Sequence, residues 1–401
     1  MSRSAGATPE APTAAPLAAP LAAPASAHPD AHPAAPASAP TPAPSAAPSA
    51  AHPDAHPAAP ASAPTAAPPA PPSVLAIVGP TGTGKSALAD ALAAHLGAEV
   101  INADSMQVYR GMDIGTAKLP ANERSVPYHC IDLVDPGQPF TAALYQRAAR
   151  AALDALLARG TMPLLCGGSG LYLRAALDDF RFDEGWDGTG ENAEGDDGAS
   201  GATSLRAQLM EQANRLGPEA FYALLVERDP ASAALIHPHN LRRIVRAFEL
   251  LAQKTSYARQ QAGFASFTSV YASRFIGLTV EPAVLYEGIE RRVDDMMQRG
   301  LLEEVRGLLE RGFREAATAQ QAIGYKELVP VLEGTSSLED AIAEIKQATR
   351  RYAKRQRTWF KRDARIEWLD ITDLHRASLV GTLNTFEFAQ SLLERTLILL
   401  R

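Results

Sequence analysis

Cysteine is nearly missing from this chain of 401 residues, which holds only Cys130 and Cys166. Each lies in a run that reads as a buried strand, so the pair points to reduced core thiols in a cytoplasmic protein and not to a disulfide framework. No stretch of about 18 apolar residues occurs, which argues against a membrane-spanning helix. The N-terminus has no basic start followed by an apolar run of about 7–15 residues, so no secretory signal is read there. Large apolar side chains are scarce over residues 1–72, which are almost all Ala, Pro, Ser, Thr and His and hold 20 of the 31 prolines. Within that tract the run at 27–41 recurs at 51–65. Such a segment cannot offset its own ordering entropy, and a disordered, partly polyproline-like arm is expected. Its histidines, His28, His32, His52 and His56, lack a cysteine or carboxylate cage, so no metal site is expected of them.

The remaining stretch of about 330 residues is ample for one buried core with an insertion. The formal net charge of -7 is concentrated in Asp183, Glu184, Asp187, Glu191, Glu194, Asp196 and Asp197, a glycine-rich segment without a basic residue. The rest of the chain is balanced, and basic patches can meet phosphate under an acidic total.

What the chain does have is a phosphate loop. Val74–Val78 is a short apolar run that enters Gly79-Pro80-Thr81-Gly82-Thr83-Gly84-Lys85-Ser86 and then an Ala/Leu-rich helical pattern. That strand–loop–helix context is what G-x-x-x-x-G-K-S requires: glycines aim backbone N–H groups inward, Lys85 adds a point charge and Ser86 offers a hydroxyl to Mg2+. The motif specifies a polyphosphate without specifying ATP. A second strand, Ala98–Ala103, ends at Asp104-Ser105-Met106-Gln107, and strand C-termini in parallel sheets face the ligand crevice, so Asp104 is expected beside the loop. Tyr109–Lys118 reads as a loop over the site and Tyr128–Val134 as a strand, with His129 and Asp132 as edge or core residues. Thr141 is placed to cap a helix reaching about Arg159. Pro163–Cys166 is a further strand, followed by Gly167-Gly168-Ser169-Gly170 and a helix, which brings Ser169 to the same crevice.

From Leu205 to about Gln260 the pattern is helical, with Leu241, Ile244, Val245, Phe248 and Leu251 on one face and Arg242, Arg243 and Arg246 on the other. Pro238 holds His237 and His239 extended with no third ligand, so zinc is not expected there. Arg274–Val280 returns to strand character, which makes the helical part an insertion into an α/β core. Later helices flank a junction at Gln321–Glu327. The run Lys346–Arg362 holds eight bases and no acid, interleaved with Tyr352, Trp359 and Phe360. Bases mixed with aromatic rings suit a folded RNA.

Together, the loop at Gly79–Ser86, Asp104-Ser105-Met106-Gln107, GMDIGTAK at 111–118, GGSGLY at 167–172, HPHNLRRIVRAFE at 237–249 and QAIGYKE at 321–327 resemble the tRNA dimethylallyltransferase family. The similarity runs from Ser73 to about Trp368. It implies a P-loop NTPase-like α/β core with a parallel sheet, interrupted by an all-helical tRNA-clasping insertion and completed by basic C-terminal helices. The expected segments are a tail over 1–72, core over 73–180, acidic insertion over 181–203, helical insertion over 204–273 and remaining core over 274–401. The implied reaction moves a dimethylallyl group from dimethylallyl diphosphate to N6 of adenosine 37 in the tRNA anticodon loop.

By the same resemblance Asp104 would accept the amine proton, Lys85 and the loop residues would hold the diphosphate with Mg2+ at Ser86, and Ser169 would reach the bridging oxygen where many members have threonine. Ser105, Met106 and Gln107 would line the pocket of the flipped base; Arg206, Arg242, Arg243, Ile244, Val245 and Arg246 would belong to the clasp, and Gly324, Tyr325 and Lys326 to the opposite wall. Gly288 stands where members commonly have arginine, and the acidic insertion unsettles the alignment of Arg206. The expected partners are a tRNA anticodon stem-loop and dimethylallyl diphosphate, with no membrane and no second copy of the chain. Three rival readings are a P-loop nucleoside or small-molecule kinase, an adenylate isopentenyltransferase and an RNA-binding P-loop module without catalysis.

Overall fold

The computed structural model of the protein describes residues 73–179, 205–315 and 318–401. The arm expected over 1–72 and the acidic insertion over 181–203 lie outside these residues. The chain runs β1 (Val74–Val78), α1 (Lys85–Leu96), β2 (Glu99–Asn102), β3 (Tyr128–His129), α2 (Ala142–Ala158), β4 (Pro163–Gly167) and α3 (Gly170–Leu177). A helical block follows: α4 (Leu205–Leu216), α5 (Pro218–Arg228), α6 (Pro230–Ala233), α7 (Leu241–Ala252) and α8 (Tyr257–Ala265). The chain then returns through β5 (Ser273–Thr279), α9 (Pro282–Gln298), α10 (Leu301–Leu309), α11 (Val329–Leu332), α12 (Leu338–Phe360), β6 (Ile366–Asp370), α13 (Thr372–Leu379) and α14 (Thr385–Leu400).

The strands form one parallel sheet in the order β3-β2-β4-β1-β5-β6. Every residue of β1 is buried, as a central parallel strand covered on both faces requires, and this explains its unbroken VLAIV run. The period of two divides the strand between two cores: Val74, Ala76 and Val78 join one cluster with α2, α3, α10 and α12, while Leu75 and Ile77 join the other with α1 and α14. Register aligns Val78 with Gly167 of β4 and Gly277 of β5, so the phosphate loop leaves the sheet at its middle.

The helical block has its own core around Phe221, Ile244, Val245 and Phe248. Its neck is a pair of antiparallel crossings in which the Asp179 amide donates to the Thr268 carbonyl at 2.7 Å and the Val270 amide to the Leu177 carbonyl at 2.8 Å. Arg365 fastens both crossings, bonding Asp178 at 2.6 Å and the Ser269 hydroxyl at 2.7 Å.

Two local expectations change. The strand expected over Tyr128–Val134 stops at His129, because Cys130 and Asp132 take positive φ angles of 56° and 54°. Polar captures hold that turn: Asn102 Nδ2 donates to the Cys130 carbonyl at 2.9 Å and Lys118 Nζ to Asp132 at 2.6 Å. The edge strand β6, IEWLD, has no counterpart among the strands expected from the sequence, although Ile366, Trp368 and Leu369 are apolar. The helix behind Thr141 starts as expected, with the threonine hydroxyl accepting from the Leu144 amide at 3.2 Å.

Candidate active site

Gly79, Gly82 and Gly84 hold φ angles of 142°, 85° and 80°, the left-handed or strained region that lets the loop curl around a cavity at the start of α1. That cavity, about 350 Å³, is lined by Thr81, Gly82, Gly84, Lys85 and Ser86 and by Gly167 and Gly168 across the crevice. Gly79, Pro80 and Thr83 stand behind its wall: Thr83 is fully buried and its hydroxyl donates to the Pro80 carbonyl at 2.9 Å. Lys85 Nζ donates to the same carbonyl at 2.6 Å. Burial lowers the Lys85 amine to about 8, the Arg292 charge pushing the same way and Asp104 opposing. A cradle that depresses its own lysine is short of negative charge, which a diphosphate supplies.

Asp104 follows β2, and its turn is fixed from within. Asn102 Oδ1 accepts from the Asp104 amide at 3.0 Å, Asn102 Nδ2 donates to the Asp104 carbonyl at 3.1 Å, and Asp104 Oδ1 accepts from the Met106 amide at 2.9 Å. No described donor takes Oδ2. The side chain lines the phosphate-loop cavity and also a second, larger one of about 530 Å³. Ser169 occupies the first position before α3, yet its hydroxyl caps nothing there. It accepts instead from the Ser105 amide at 3.1 Å and donates to the Ser105 hydroxyl at 3.2 Å, joining the glycine turn to the loop of Asp104.

The larger cavity gathers most of the remaining expected residues: Ser105 and Met106 on one side, Gly324, Tyr325 and Lys326 opposite, and Arg242 reaching in from α7. Gln107 faces the smaller cavity instead, its amide donating to the Thr116 carbonyl at 3.1 Å. Not every expected contact survives. Ile244 and Val245 are 0% exposed inside the helical block, so they hold α7 in place and cannot touch RNA through their side chains. Arg206 bonds Glu249 at 2.8 Å, and Arg246 lies 3.6 Å from the same carboxylate, which makes Glu249 the organiser of that pair. Arg243 is exposed. His129 pairs with Glu99 at 2.6 Å and Asp132 with Lys118, both away from the crevice.

Sequence reasoning missed Arg292 and Gln356. Arg292 lines both cavities and donates to the Thr81 hydroxyl at 3.2 Å. Burial lowers its pKa while Asp104 raises it, so its charge also awaits an anion. A signal was present: Leu285, Ile289, Val293 and Met296 form the buried stripe of α9, and Arg292 falls on that stripe at helical spacing. Gln356 falls likewise between Ala353 and Phe360 on the buried face of α12. Of the eight bases in that region, Lys346 and Arg350 are tied to Asp294 and Glu290 of α9, whereas Arg351 and Arg355 line the larger cavity. Tyr352 faces Ser169 and Gln356, and burial lifts its phenol to about 12.

A parallel sheet with a phosphate loop after its central strand β1, and a carboxylate after β2, one strand removed across β4, is a P-loop NTPase-like architecture. Comparison with known proteins narrows the class. The family model described as IPP transferase matches residues 107–363, and one described as isopentenyl transferase matches residues 72–125. A tRNA dimethylallyltransferase of Geobacillus thermodenitrificans is 45% identical over 302 residues, covering 75% of this chain and 91% of the relative. A tRNA dimethylallyltransferase 1 of Pelobacter propionicus is 46% identical over 318 residues, covering 78% and 97%. Among solved structures, a full-length tRNA isopentenylpyrophosphate transferase from Bacillus halodurans aligns with TM-score 0.52 at 40% identity, covering 81% of this chain and 98% of that one. A eukaryotic dimethylallyltransferase described as acting on tRNA aligns with TM-score 0.62 at 31% identity, covering 77% and 76%. The chain belongs to the IPP transferase family.

Proposed function

We propose that the protein transfers a dimethylallyl group from dimethylallyl diphosphate to N6 of adenosine 37 in the anticodon loop of tRNA. The observation that carries this reading is the position of Asp104, which lines both the phosphate-loop cavity and the larger cavity bordered by Arg242, Arg351 and Arg355. A diphosphate in the first cavity and a flipped purine in the second would meet at that carboxylate. As the allylic C–O bond breaks, charge grows on the leaving diphosphate, and the loop amides, Lys85 and Arg292 are placed to stabilise it. The exocyclic amine is a weak nucleophile, and Asp104 accepts its proton as the carbon–nitrogen bond forms. Ser169, held on Ser105, supports the loop of Asp104, and its hydroxyl would have to turn from Ser105 to reach the donor.

The donor set suits Mg2+ in the way that cation usually binds, through substrate phosphates and few protein ligands. Ser86 lines the cavity, and among the described residues no cluster of three His, Cys, Asp or Glu side chains forms a cage. Ser86 would hold the ion against the diphosphate, where the metal would neutralise leaving-group charge. ATP is not consumed in this scheme.

The basic rim serves the RNA. Arg242, Arg351, Arg355 and Lys326 border the larger cavity, and Arg355 lies 5.7 Å from the Tyr352 ring centre, a charged aromatic platform of the kind that receives an unstacked base. No helix among the described residues is long and apolar enough to cross a membrane. A cytoplasmic location, a monomeric state and tRNA as the macromolecular partner are part of this proposal. The test is incubation with radiolabelled dimethylallyl diphosphate and unmodified tRNA followed by nucleoside analysis. Label on the N6 of adenosine supports the reading; label confined to free adenylate, or phosphoryl transfer from ATP without donor, overturns it.

A further inference from the structure

The loop at 111–118 borders both cavities, with Gly115 and Thr116 on the larger and Thr116 and Ala117 on the smaller. Its position is set from outside the site. Glu304 of α10 lines neither cavity, yet its carboxylate accepts from three successive amides of this loop: Asp113 at 3.1 Å, Ile114 at 2.8 Å and Gly115 at 3.3 Å. It accepts a fourth bond, at 2.6 Å, from the hydroxyl of Tyr325. Tyr325 is 0% exposed, and its ring lies so near Gly115 that a Cβ there would stand 2.4 Å from a ring carbon. One carboxylate therefore joins the loop, α10 and the wall that carries Gly324 and Lys326. Three convergent N–H groups and a phenol are a matched set for an anion with four lone-pair sites.

We infer that Glu304 is a positioning residue: it sets the distance between the loop and the Tyr325 wall, and through them the seat of the purine relative to Asp104. The inference rests on the proposed tRNA reaction for its substrate, while the clamp itself is a property of the fold. The far end of the loop is anchored independently. Lys118 Nζ donates to Asp113 and Asp132, each at 2.6 Å, and to the Tyr109 carbonyl at 2.9 Å. Loss of Glu304 would consequently loosen the middle of the loop without releasing it from the core. The loop also holds Gln107 through the Thr116 carbonyl, so displacement of the loop reaches the residues after Asp104. Glu304→Gln keeps the shape but turns an acceptor into an NH2 group facing donors, which breaks at least one of the four bonds.

The experiment compares wild type, Glu304→Gln, Tyr325→Phe and the double variant in the full chain. Hydrogen exchange of the 113–115 amides is followed alongside steady-state kinetics with tRNA and dimethylallyl diphosphate, with a thermal melt of each variant. Positioning predicts exchange at 113–115 faster by about tenfold in Glu304→Gln, a KM for tRNA raised by about tenfold with the donor KM within about twofold, and effects of the two single variants that do not add. Unchanged exchange at 113–115 overturns the inference. So does a uniform loss of active protein with both KM values unaltered, or equal shifts of both KM values. If wild type places no label on tRNA, the substrate reading falls and the exchange result alone decides the clamp.

Discussion

Thr81 and Gln356, one on the phosphate loop and one on α12, are joined by a 2.8 Å hydrogen bond from the threonine amide to the glutamine Oε1. The same side chain donates through Nε2 to the Gly168 carbonyl at 2.9 Å, so one buried amide spans the crevice from the loop to the glycine turn. Gly168 must stay without a Cβ for this to happen, since that atom would stand 2.2 Å from Nε2. Gln356→Leu keeps the volume and orphans both backbone groups, at a cost of about 1–3 kcal/mol for each buried group left unpaired. Urea denaturation should register that loss. The donor KM should rise as well, by about tenfold, because the cradle loses its fixed edge.

Asp104→Asn removes the proton acceptor and retains the turn, since the amide oxygen can still accept from the Met106 amide now bonded at 2.9 Å. Turnover should fall by about 10²–10⁴-fold, the range for loss of a positioned acid–base group. Affinity for tRNA, measured by filter binding, should be nearly unchanged, because that affinity comes chiefly from basic contacts to phosphate. A noncatalytic binding module would show no defect in either assay that depends on this residue.

Much of the site was legible because its chemistry is local. The phosphate loop, the residues after β2 and the glycine turn before α3 each announce themselves in short contiguous runs, and parallel topology brings strand ends together without further information. What stayed hidden depends on long-range pairing. Gln356 and Thr81 are separated by 275 residues, and Glu304 and Ile114 by 190. Neither relationship leaves a pattern in one sequence, although a polar residue on a buried helical stripe, as Arg292 and Gln356 are, marks a position worth asking about. The truncated β3 has the same origin: tertiary captures by Asn102 and Lys118 overrode a run that reads as strand.

Arg292→Gln tests the cation that the motifs did not reveal. Its guanidinium reaches the Thr81 hydroxyl at 3.2 Å and lines the same cavity as Lys85. A charged hydrogen bond to diphosphate contributes about 1.5–3 kcal/mol. Donor affinity in a direct binding titration should therefore drop by about 10–150-fold. Affinity for tRNA should move far less, as the RNA is held mainly by the rim. Arg292→Lys should recover part of the loss, since it restores charge without the forked geometry.

Lys85 gives the site a pH dependence whose sign follows from its surroundings. Burial holds the amine at about 8 in place of the usual 10.5, so the ligand-free protein loses this charge as the pH rises through about 8. Diphosphate binds the protonated form better, and its negative charge raises the lysine pKa in the complex. Binding of donor above pH 8 therefore takes up a proton. The kcat/KM for dimethylallyl diphosphate should be flat below about pH 7.5 and then decline with rising pH toward a lower plateau, each unit of pKa difference between free and bound states being worth about tenfold. The decline in kcat should begin at higher pH, since kcat reports the complex. Lys85→Arg, charged throughout this range, should abolish the decline near pH 8 whatever its absolute activity. A kcat/KM profile for that variant that still bends at pH 8 would assign the titration to another group.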